Sequence, residues 1–243
     1  MTDAIKISNL TKRYKDVVAV DDLSLTIKKG ELFALLGVNG AGKTTTVKML
    51  SCLSAPSVGD AILLGKSILT DSAEVKKFIA ISPQETAVAS GLTTLENLRL
   101  ICGVYGFSRQ ESETKIKEIC ARLELDGVLG KKAGKLSGGW QRRLSIAMAL
   151  ISEPKILFLD EPTLGLDVIA RSQLWDVIRA LKGEVTIILT THYMEEAEEL
   201  ADRVGIMKDG KLLVCDTPQN VKQNTGESTF EKAFISVIKG VAQ

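Results

Sequence analysis

The sequence predicts an α/β fold with a mixed β-sheet, an N-terminal antiparallel β subdomain and an inserted α-helical subdomain. Three observations support this prediction: apolar and polar residues alternate near the N-terminus, later segments are continuously apolar, and a long middle stretch has helical spacing only. Continuously apolar strands are typical of parallel sheets covered on both faces. A chain of 243 residues, 45% hydrophobic and 25% charged, can bury such a core.

The elements follow in order along the chain. Residues 5–10 and 23–27 alternate as half-buried antiparallel strands do, whereas residues 32–36, 156–159 and 185–189 are expected to be central parallel strands. An inserted helical subdomain is expected at about residues 86–152, with a last helix that begins near Ser137 and is closed by Glu153-Pro154. From Thr217 we expect two short polar helices separated near Gly226. The predicted main domain covers residues 1–222, and residues 223–243 form a short helical tail.

Composition excludes several classes of function. Lys and Arg number 31 against 30 for Asp and Glu, so the chain has no global basic field and no nucleic-acid partner is expected. The four cysteines lack metal-ligand spacing, which argues against a zinc site or a disulfide framework and fits a reducing compartment. The N-terminus lacks the apolar region of a secretory signal, and no segment approaches the roughly 18 apolar residues of a membrane span. We therefore expect a soluble chain whose membrane part, if it has one, is another polypeptide.

A glycine-rich segment lies between the apolar strand at residues 32–36 and a helical pattern at residues 45–50. It reads Gly37-Val38-Asn39-Gly40-Ala41-Gly42-Lys43-Thr44 and fits the phosphate-loop pattern Gly-x-x-x-x-Gly-Lys-Ser/Thr. In such a loop, backbone N–H groups and the helix N-terminus hold phosphate, the lysine neutralises its charge and the hydroxyl of Thr44 can ligate Mg²⁺. The segment predicts a P-loop NTPase core that binds Mg-ATP through Gly37, Asn39, Gly40, Ala41, Gly42, Lys43, Thr44 and Thr45.

Two carboxylates, Asp160 and Glu161, directly follow the apolar strand at residues 156–159. Ligands bind at the carboxyl ends of such strands, and the burial of two adjacent acids requires a cation. We expect Asp160 to orient the hydration shell of Mg²⁺ and Glu161 to polarise a water for attack on the γ-phosphate. An exposed acidic turn is the alternative, which the accompanying phosphate loop disfavours.

Two further motifs occur, Leu136-Ser137-Gly138-Gly139 at a predicted helix start and His192 at the end of a predicted strand. With the phosphate loop and the acidic strand end, in this order, they resemble the nucleotide-binding domain of ABC transporters over roughly residues 5–222. The resemblance implies that Ser137, Gly138 and Gly139 contact the γ-phosphate of ATP held by a second subunit, so that two chains enclose two ATP molecules. It also implies that His192 acts with Lys43 and Glu161 in catalysis.

The same resemblance implies roles for three more residues. Tyr14 would stack on adenine, Gln84 would contact Mg²⁺ and sense the transmembrane partner, and Asp167 would lie at the dimer contact. Simpler interpretations exist: Ser137 could only cap its helix, His192 could be an ordinary half-buried residue, and Tyr14 could only cover the core. Trp140 stands where the family most often has Gln, and it could pack within the helical subdomain or face the membrane partner.

Two segments are similar to ABC-2 type exporters of drugs, sodium or glycans: Thr191-His192-Tyr193-Met194-Glu195-Glu196-Ala197-Glu198 and Phe230-Glu231-Lys232-Ala233-Phe234. The resemblance implies an ATP hydrolase on the cytoplasmic face of the cell membrane, working with transmembrane permease subunits and a second ATPase subunit, either identical or a paralogue. The alternatives are an importer ATPase, a soluble ABC ATPase of assembly or nucleic-acid processes, and a non-hydrolysing nucleotide-binding module, which the presence of Glu161 disfavours.

Overall fold

The computed structural model describes residues 2–240 and contains two β-sheets flanked by helices. The strands are β1 (Asp3–Tyr14), β2 (Val17–Lys28), β3 (Leu32–Gly37), β4 (Val58–Leu63), β5 (Lys66–Ser67), β6 (Ile79–Ser82), β7 (Ile156–Asp160), β8 (Thr186–Thr191), β9 (Arg203–Lys208) and β10 (Lys211–Asp216). The first sheet has the order β2-β1-β4-β5, and its paired strands are all antiparallel. This sheet confirms the antiparallel N-terminal subdomain.

The second sheet has the order β10-β9-β3-β8-β7-β6 and is mixed. Strands β9, β3, β8, β7 and β6 are parallel, and β10 pairs antiparallel with β9. Every residue of β3, β7 and β8 is buried, which confirms the prediction of central strands covered on both faces. Because these three are neighbours, the segments that follow them meet at one edge of the sheet.

The helices are α1 (Lys43–Leu50), α2 (Ser72–Val75), α3 (Thr94–Val104), α4 (Arg109–Leu123), α5 (Gly138–Leu150), α6 (Val168–Leu181), α7 (Met194–Leu200), α8 (Pro218–Thr225) and α9 (Phe230–Lys239). Between β6 and β7 the chain forms α3, α4, α5 and two short 3₁₀ helices, as the helical spacing predicts. Capping boxes begin α3, with Thr93 and Glu96, and α4, with Ser108 and Glu111. The apolar side chains of Leu144, Ala147, Met148 and Ile151, which recur at helical spacing along α5 and its C-cap, are buried.

The C-terminal segment forms two helices separated near Gly226, as predicted. Gly226 has a φ of 71° and ends α8, and Phe230, Phe234 and Val237 of α9 are buried in the main core. The division of the chain at residue 222 stays a prediction, and Met1 and residues 241–243 of the predicted tail lie outside the described residues. No helix within residues 2–240 is both long enough and apolar enough to cross a membrane.

Candidate active site

The phosphate loop joins β3 to α1 and has a backbone that only glycine permits. Gly42 has a φ of 103°, and a Cβ atom there would lie 2.4 Å from the carbonyl oxygen of Ala19. Gly42 is also the N-cap residue of α1 and has no side chain to occupy the first N–H groups of the helix. These N–H groups remain available to an anion at the positive end of the helix.

The side chain of Lys43 is buried and folds back over the loop. Its Nζ donates hydrogen bonds to the carbonyl oxygens of Gly37, at 2.8 Å, and Val38, at 3.3 Å. The ammonium group also lies 3.4 Å from Oε1 of Glu161. The loop therefore holds a positive charge directly opposite a buried carboxylate.

Asp160, the last residue of β7, is buried among hydroxyl groups. Its Oδ1 accepts hydrogen bonds from Oγ1 of Thr190 and, at 3.2 Å, from Oγ1 of Thr44. A hydroxyl oxygen and a carboxylate side by side at a phosphate loop are ligands that Mg²⁺ uses together with phosphate oxygens. Within residues 2–240 no group of three or more His, Cys, Asp or Glu side chains is arranged to hold a metal ion by itself, so phosphate oxygens must supply part of the ligands here. The residues present thus fit Mg²⁺ bound jointly with a nucleotide.

Glu161 is held in a strained backbone conformation. Its φ of 49° lies in the left-handed region, which non-glycine residues rarely adopt. Its N–H donates to both the carbonyl oxygen and Oγ1 of Thr190, each at 3.1 Å, and these bonds maintain the conformation. Such strain clusters at functional sites, where the surrounding structure over-determines it.

The two carboxylate oxygens of Glu161 have different partners. Oε1 faces Lys43, whereas Oε2 lies 2.6 Å from Nδ1 of His192. A carboxylate oxygen accepts hydrogen bonds, so this contact suits the ring tautomer that carries its proton on Nδ1. His192 therefore has a partner, unlike an ordinary half-buried histidine.

One cavity of about 590 Å³ brings most of the predicted residues together. It is lined by Tyr14, Ala19, Asn39, Gly40, Ala41, Gly42, Lys43, Thr44, Thr45, Gln84, Glu161, Leu164 and His192. The ring of Tyr14 is 46% exposed, and the ammonium of Lys12 lies 5.0 Å from its centroid. Tyr14 thus borders the cavity instead of only covering the core.

The Ser137, Gly138 and Gly139 segment is not part of this cavity. Ser137 is exposed, and its hydroxyl makes no capping hydrogen bond to α5 in the part of the chain that the structure describes. A Cβ atom at Gly138 would lie 3.3 Å from Leu166, and one at Gly139 would lie 3.1 Å from Ala170. The segment is packed against the loop that leads into α6, and within one chain it does not meet the phosphate loop.

Sequence reasoning missed Arg142, which anchors the loop of Gln84. Its buried guanidinium donates to the carbonyl oxygens of Pro83 and Gln84, both at 2.6 Å. Burial lowers the pKa of Arg142, while the charges of Asp160 and Glu196 act in the opposite direction. No local sequence signal distinguishes this arginine from a solvent-exposed one.

Thr190, Ala19 and Leu164 were also missed, because a threonine in a strand or an apolar residue in a turn has no distinctive pattern. Trp140, which the sequence left open, is half-buried against the main core, and the guanidinium of Arg143 lies 5.0 Å from its ring centroid. It packs within the helical subdomain.

A mixed sheet whose parallel strands end, at one edge, in a phosphate loop, a buried acidic pair and a histidine defines a nucleotide-hydrolysing P-loop protein. The chain belongs to the ABC transporter family, whose sequence model matches residues 20–164. It is therefore an ABC-type ATPase domain that binds and hydrolyses ATP.

Similar proteins agree with this assignment. The human phospholipid-transporting ATPase ABCA3 is 40% identical over 91% of this chain and 13% of its own length. The probable multidrug ABC transporter ATP-binding protein YbhF of Escherichia coli K12 is 37% identical over 96% of this chain and 41% of its own. The chain thus spans less than half the length of these relatives. A solved dimeric structure of the ATP-binding cassette MJ0796, in a post-hydrolysis state bound to ADP and Pi, has a TM-score of 0.78 and 28% identity over 88% of this chain and 98% of that one.

Proposed function

We propose that this chain powers transport, in the export direction, through a separate membrane permease. The observation that carries the proposal is the arrangement of Lys43, Glu161 and His192, which meet at one wall of a cavity formed by a phosphate loop. Such a cavity suits a nucleoside triphosphate whose γ-phosphate lies between Lys43 and the Glu161–His192 pair.

Each residue then has a definite chemical task. The adenine ring stacks on Tyr14, and the phosphates accept hydrogen bonds from the backbone N–H groups of residues 39–45. Lys43 neutralises negative charge on the γ-phosphate. Glu161 takes a proton from the attacking water as the water oxygen bonds to the γ-phosphorus, and His192 orients that water and the γ-phosphate. The bond between the γ-phosphorus and the β–γ bridging oxygen breaks, its electron pair stays on that oxygen, and ADP and phosphate are released. Thr44, Asp160 and Gln84 would hold Mg²⁺, which neutralises charge on the phosphates when bound.

A second copy of the ATPase completes each site. At the start of α5, Ser137 and Gly138 are exposed and Gly139 is half-buried, and all three lie outside the cavity of their own chain. Beside them, Val168 and Ile169 at the start of α6 are 77% and 72% exposed. A helix N-terminus without side chains suits a γ-phosphate, and the neighbouring apolar residues suit burial between two subunits. ATP therefore joins two chains, identical or paralogous, and its hydrolysis releases them.

The permease docks in an apolar cleft between β6 and the helical subdomain. This cleft of about 310 Å³ is lined mainly by apolar residues, among them Leu53, Ile81, Pro83, Ile101 and Tyr105. Pro83 directly precedes Gln84, so a partner in the cleft contacts the loop that also borders the ATP cavity. An apolar cytoplasmic segment of a permease fits this surface, and it places the chain on the cytoplasmic face of the membrane.

The proposal of export rests on the multidrug-transporter relative and on the exporter-like segments around His192 and α9. The alternative is an ABC ATPase that acts without a permease. Co-expression with a membrane permease, chosen from the reading frames adjacent to that of this chain, separates the two.

We expect the chain to co-purify with that permease after detergent extraction, and we expect membrane vesicles to transport substrate only when Glu161 is intact. Tyr105→Ser, in the cleft, should weaken capture without changing ATP affinity, whereas Lys77→Ser, an exposed residue outside the cleft, should not. A chain that never associates with membranes containing the permease would favour the alternative.

A further inference from the structure

We propose that Glu196, a side chain outside the nucleotide cavity, is a positioning residue that orients Glu161 and His192 through its contacts with Thr163 and Thr191. This inference rests on the catalytic roles proposed above for those two residues. It concerns a carboxyl group that neither binds nucleotide nor lines the cavity.

Glu196 lies in α7 and has 0% of its surface exposed. Nε1 of Trp175, on α6, donates a hydrogen bond to its Oε1 at 3.2 Å. The hydroxyl groups of Thr163 and Thr191 flank the same carboxyl. Oε2 of Glu196 and Oγ1 of Thr163 are buried without a well-formed hydrogen bond among residues 2–240. A buried polar atom without a hydrogen bond lowers the stability of the fold, so a proton shared between the carboxyl of Glu196 and a neighbouring hydroxyl would stabilise this cluster.

The neighbours of Glu196 explain how it acts on catalysis. Thr163 lies two residues after Glu161, and Thr191 directly precedes His192. The carboxyl thus neighbours both chain segments, and Glu161 and His192 of those segments share their 2.6 Å contact. A shift of either segment changes the length and angle of that contact.

The surroundings favour a neutral carboxylic acid at Glu196. The buried charges at the centre of the site are already balanced, since Lys43 and Arg142 face Asp160 and Glu161. No Lys or Arg in the described part of the chain forms a salt bridge with Glu196, and the charged groups that act on it are Glu161 and Arg142. Burial, the largest effect, raises the pKa of Glu196; the hydroxyl groups of Thr191 and Thr163 and the indole N–H of Trp175 act in the opposite direction, and the charge of Glu161 raises the pKa again. A protonated carboxyl can donate to a neighbouring hydroxyl and still accept from Trp175.

Two substitutions separate this role from charge and from packing. Glu196→Gln keeps both the shape and the ability to donate and accept, so kcat should stay within about twofold of the wild type. Glu196→Leu keeps most of the volume without hydrogen bonding, and it should lower kcat about 10- to 100-fold, the cost of misplaced catalytic groups, while the Kd for ATP is unchanged. Glu199→Ala, an exposed position on the same helix, is the matched control and should not change kcat.

The measurements are steady-state ATP hydrolysis at chain concentrations that permit dimer formation, and ATP binding by titration. Equal turnover in Glu196→Leu and the wild type would overturn the proposal, as would an equal loss in Glu196→Gln and Glu196→Leu. If Glu196→Leu does not fold, Trp175→Phe and Thr163→Val, which each remove one polar group, must lower kcat at unchanged Kd. Glu161→Gln tests the assignment of Glu161 as the general base separately. Retained turnover in that variant would contradict this assignment, whereas it would not bear on the role of Glu196.

Discussion

Glu161→Gln is the substitution whose effect follows most directly from the structure. It removes a negative charge and the ability to take a proton, but it preserves the shape of a side chain that is only 7% exposed. The left-handed backbone at this position and its bonds to Thr190 do not depend on the carboxylate. We therefore expect a folded variant that still binds ATP.

The loss of turnover can be estimated from the role of the side chain. A positioned general base contributes about 10²- to 10⁴-fold, which corresponds to about 3–5 kcal/mol of transition-state stabilisation. Steady-state ATP hydrolysis should fall by that factor. His192 would keep a partner, because the amide oxygen of glutamine can still accept a hydrogen bond from Nδ1.

ATP affinity should be maintained or increased. Oε1 of Glu161 lies 3.4 Å from Nζ of Lys43, and at an effective dielectric constant of about 20 the Coulomb attraction over that distance is about 5 kcal/mol, before the cost of desolvation is subtracted. Without this competitor, the ammonium is available to the γ-phosphate, and the repulsion between carboxylate and phosphate disappears. Bound ATP that is not hydrolysed should hold two subunits together.

The assay combines phosphate release, ATP binding by titration and light scattering after size-exclusion chromatography with ATP. The matched control is Glu184→Gln, an exposed glutamate outside the ATP cavity, which should behave as the wild type. Wild-type phosphate release from Glu161→Gln would refute the assignment of the base. A variant that fails to bind ATP would refute the argument about Lys43.

Four further outcomes are expected. Lys43→Ala should weaken ATP binding at least about 100-fold in a titration, since a charge-assisted contact to phosphate is lost; unchanged affinity would contradict the phosphate-loop assignment. Tyr14→Ala should weaken ATP binding by about 1–3 kcal/mol, and Tyr14→Phe should leave it unchanged. Equal ATP affinity of Tyr14→Ala and the wild type would show that the ring does not stack on the base. Ser137→Ala should leave the melting temperature unchanged, because its hydroxyl makes no helix cap among residues 2–240, yet reduce ATP hydrolysis at least about tenfold; a lower melting temperature would favour a capping role instead. Folding raises the pKa of Glu196, so the unfolded chain loses this proton before the folded chain does as pH rises above the unfolded pKa of about 4.3. The free energy of unfolding of the wild type should therefore fall relative to that of Glu196→Gln, by up to about 1.4 kcal/mol per pH unit. If the two free energies of unfolding, measured by denaturant titration, change in parallel between pH 5 and 8, the group is ionised in the folded protein.

Several features of the site could be predicted because they depend on local sequence. The phosphate loop needs glycines at fixed spacing, a lysine and a hydroxyl, and the structure confirms that these residues link a buried strand to a helix. The acidic pair was predicted for the same reason, since Asp160 and Glu161 end a continuously apolar strand. The roles of Tyr14, Gln84 and His192 came from the family resemblance, and the structure places all three at one cavity, where their roles remain proposals.

The sequence by itself determined the fold class, the order of strands and helices, and the position of the phosphate loop, because hydrophobic periodicity and glycine spacing act over a few residues. Only the tertiary structure decided that Glu161 and His192, 31 positions apart, share a hydrogen bond, that Arg142 holds the loop of Gln84, and that the buried carboxyl of Glu196 neighbours Thr163 and Thr191. These contacts depend on the pairing of β7 with β8 and on the packing of α5, α6 and α7 against the sheet. No short stretch of sequence specifies such pairings, since they arise from the burial of many apolar side chains at once.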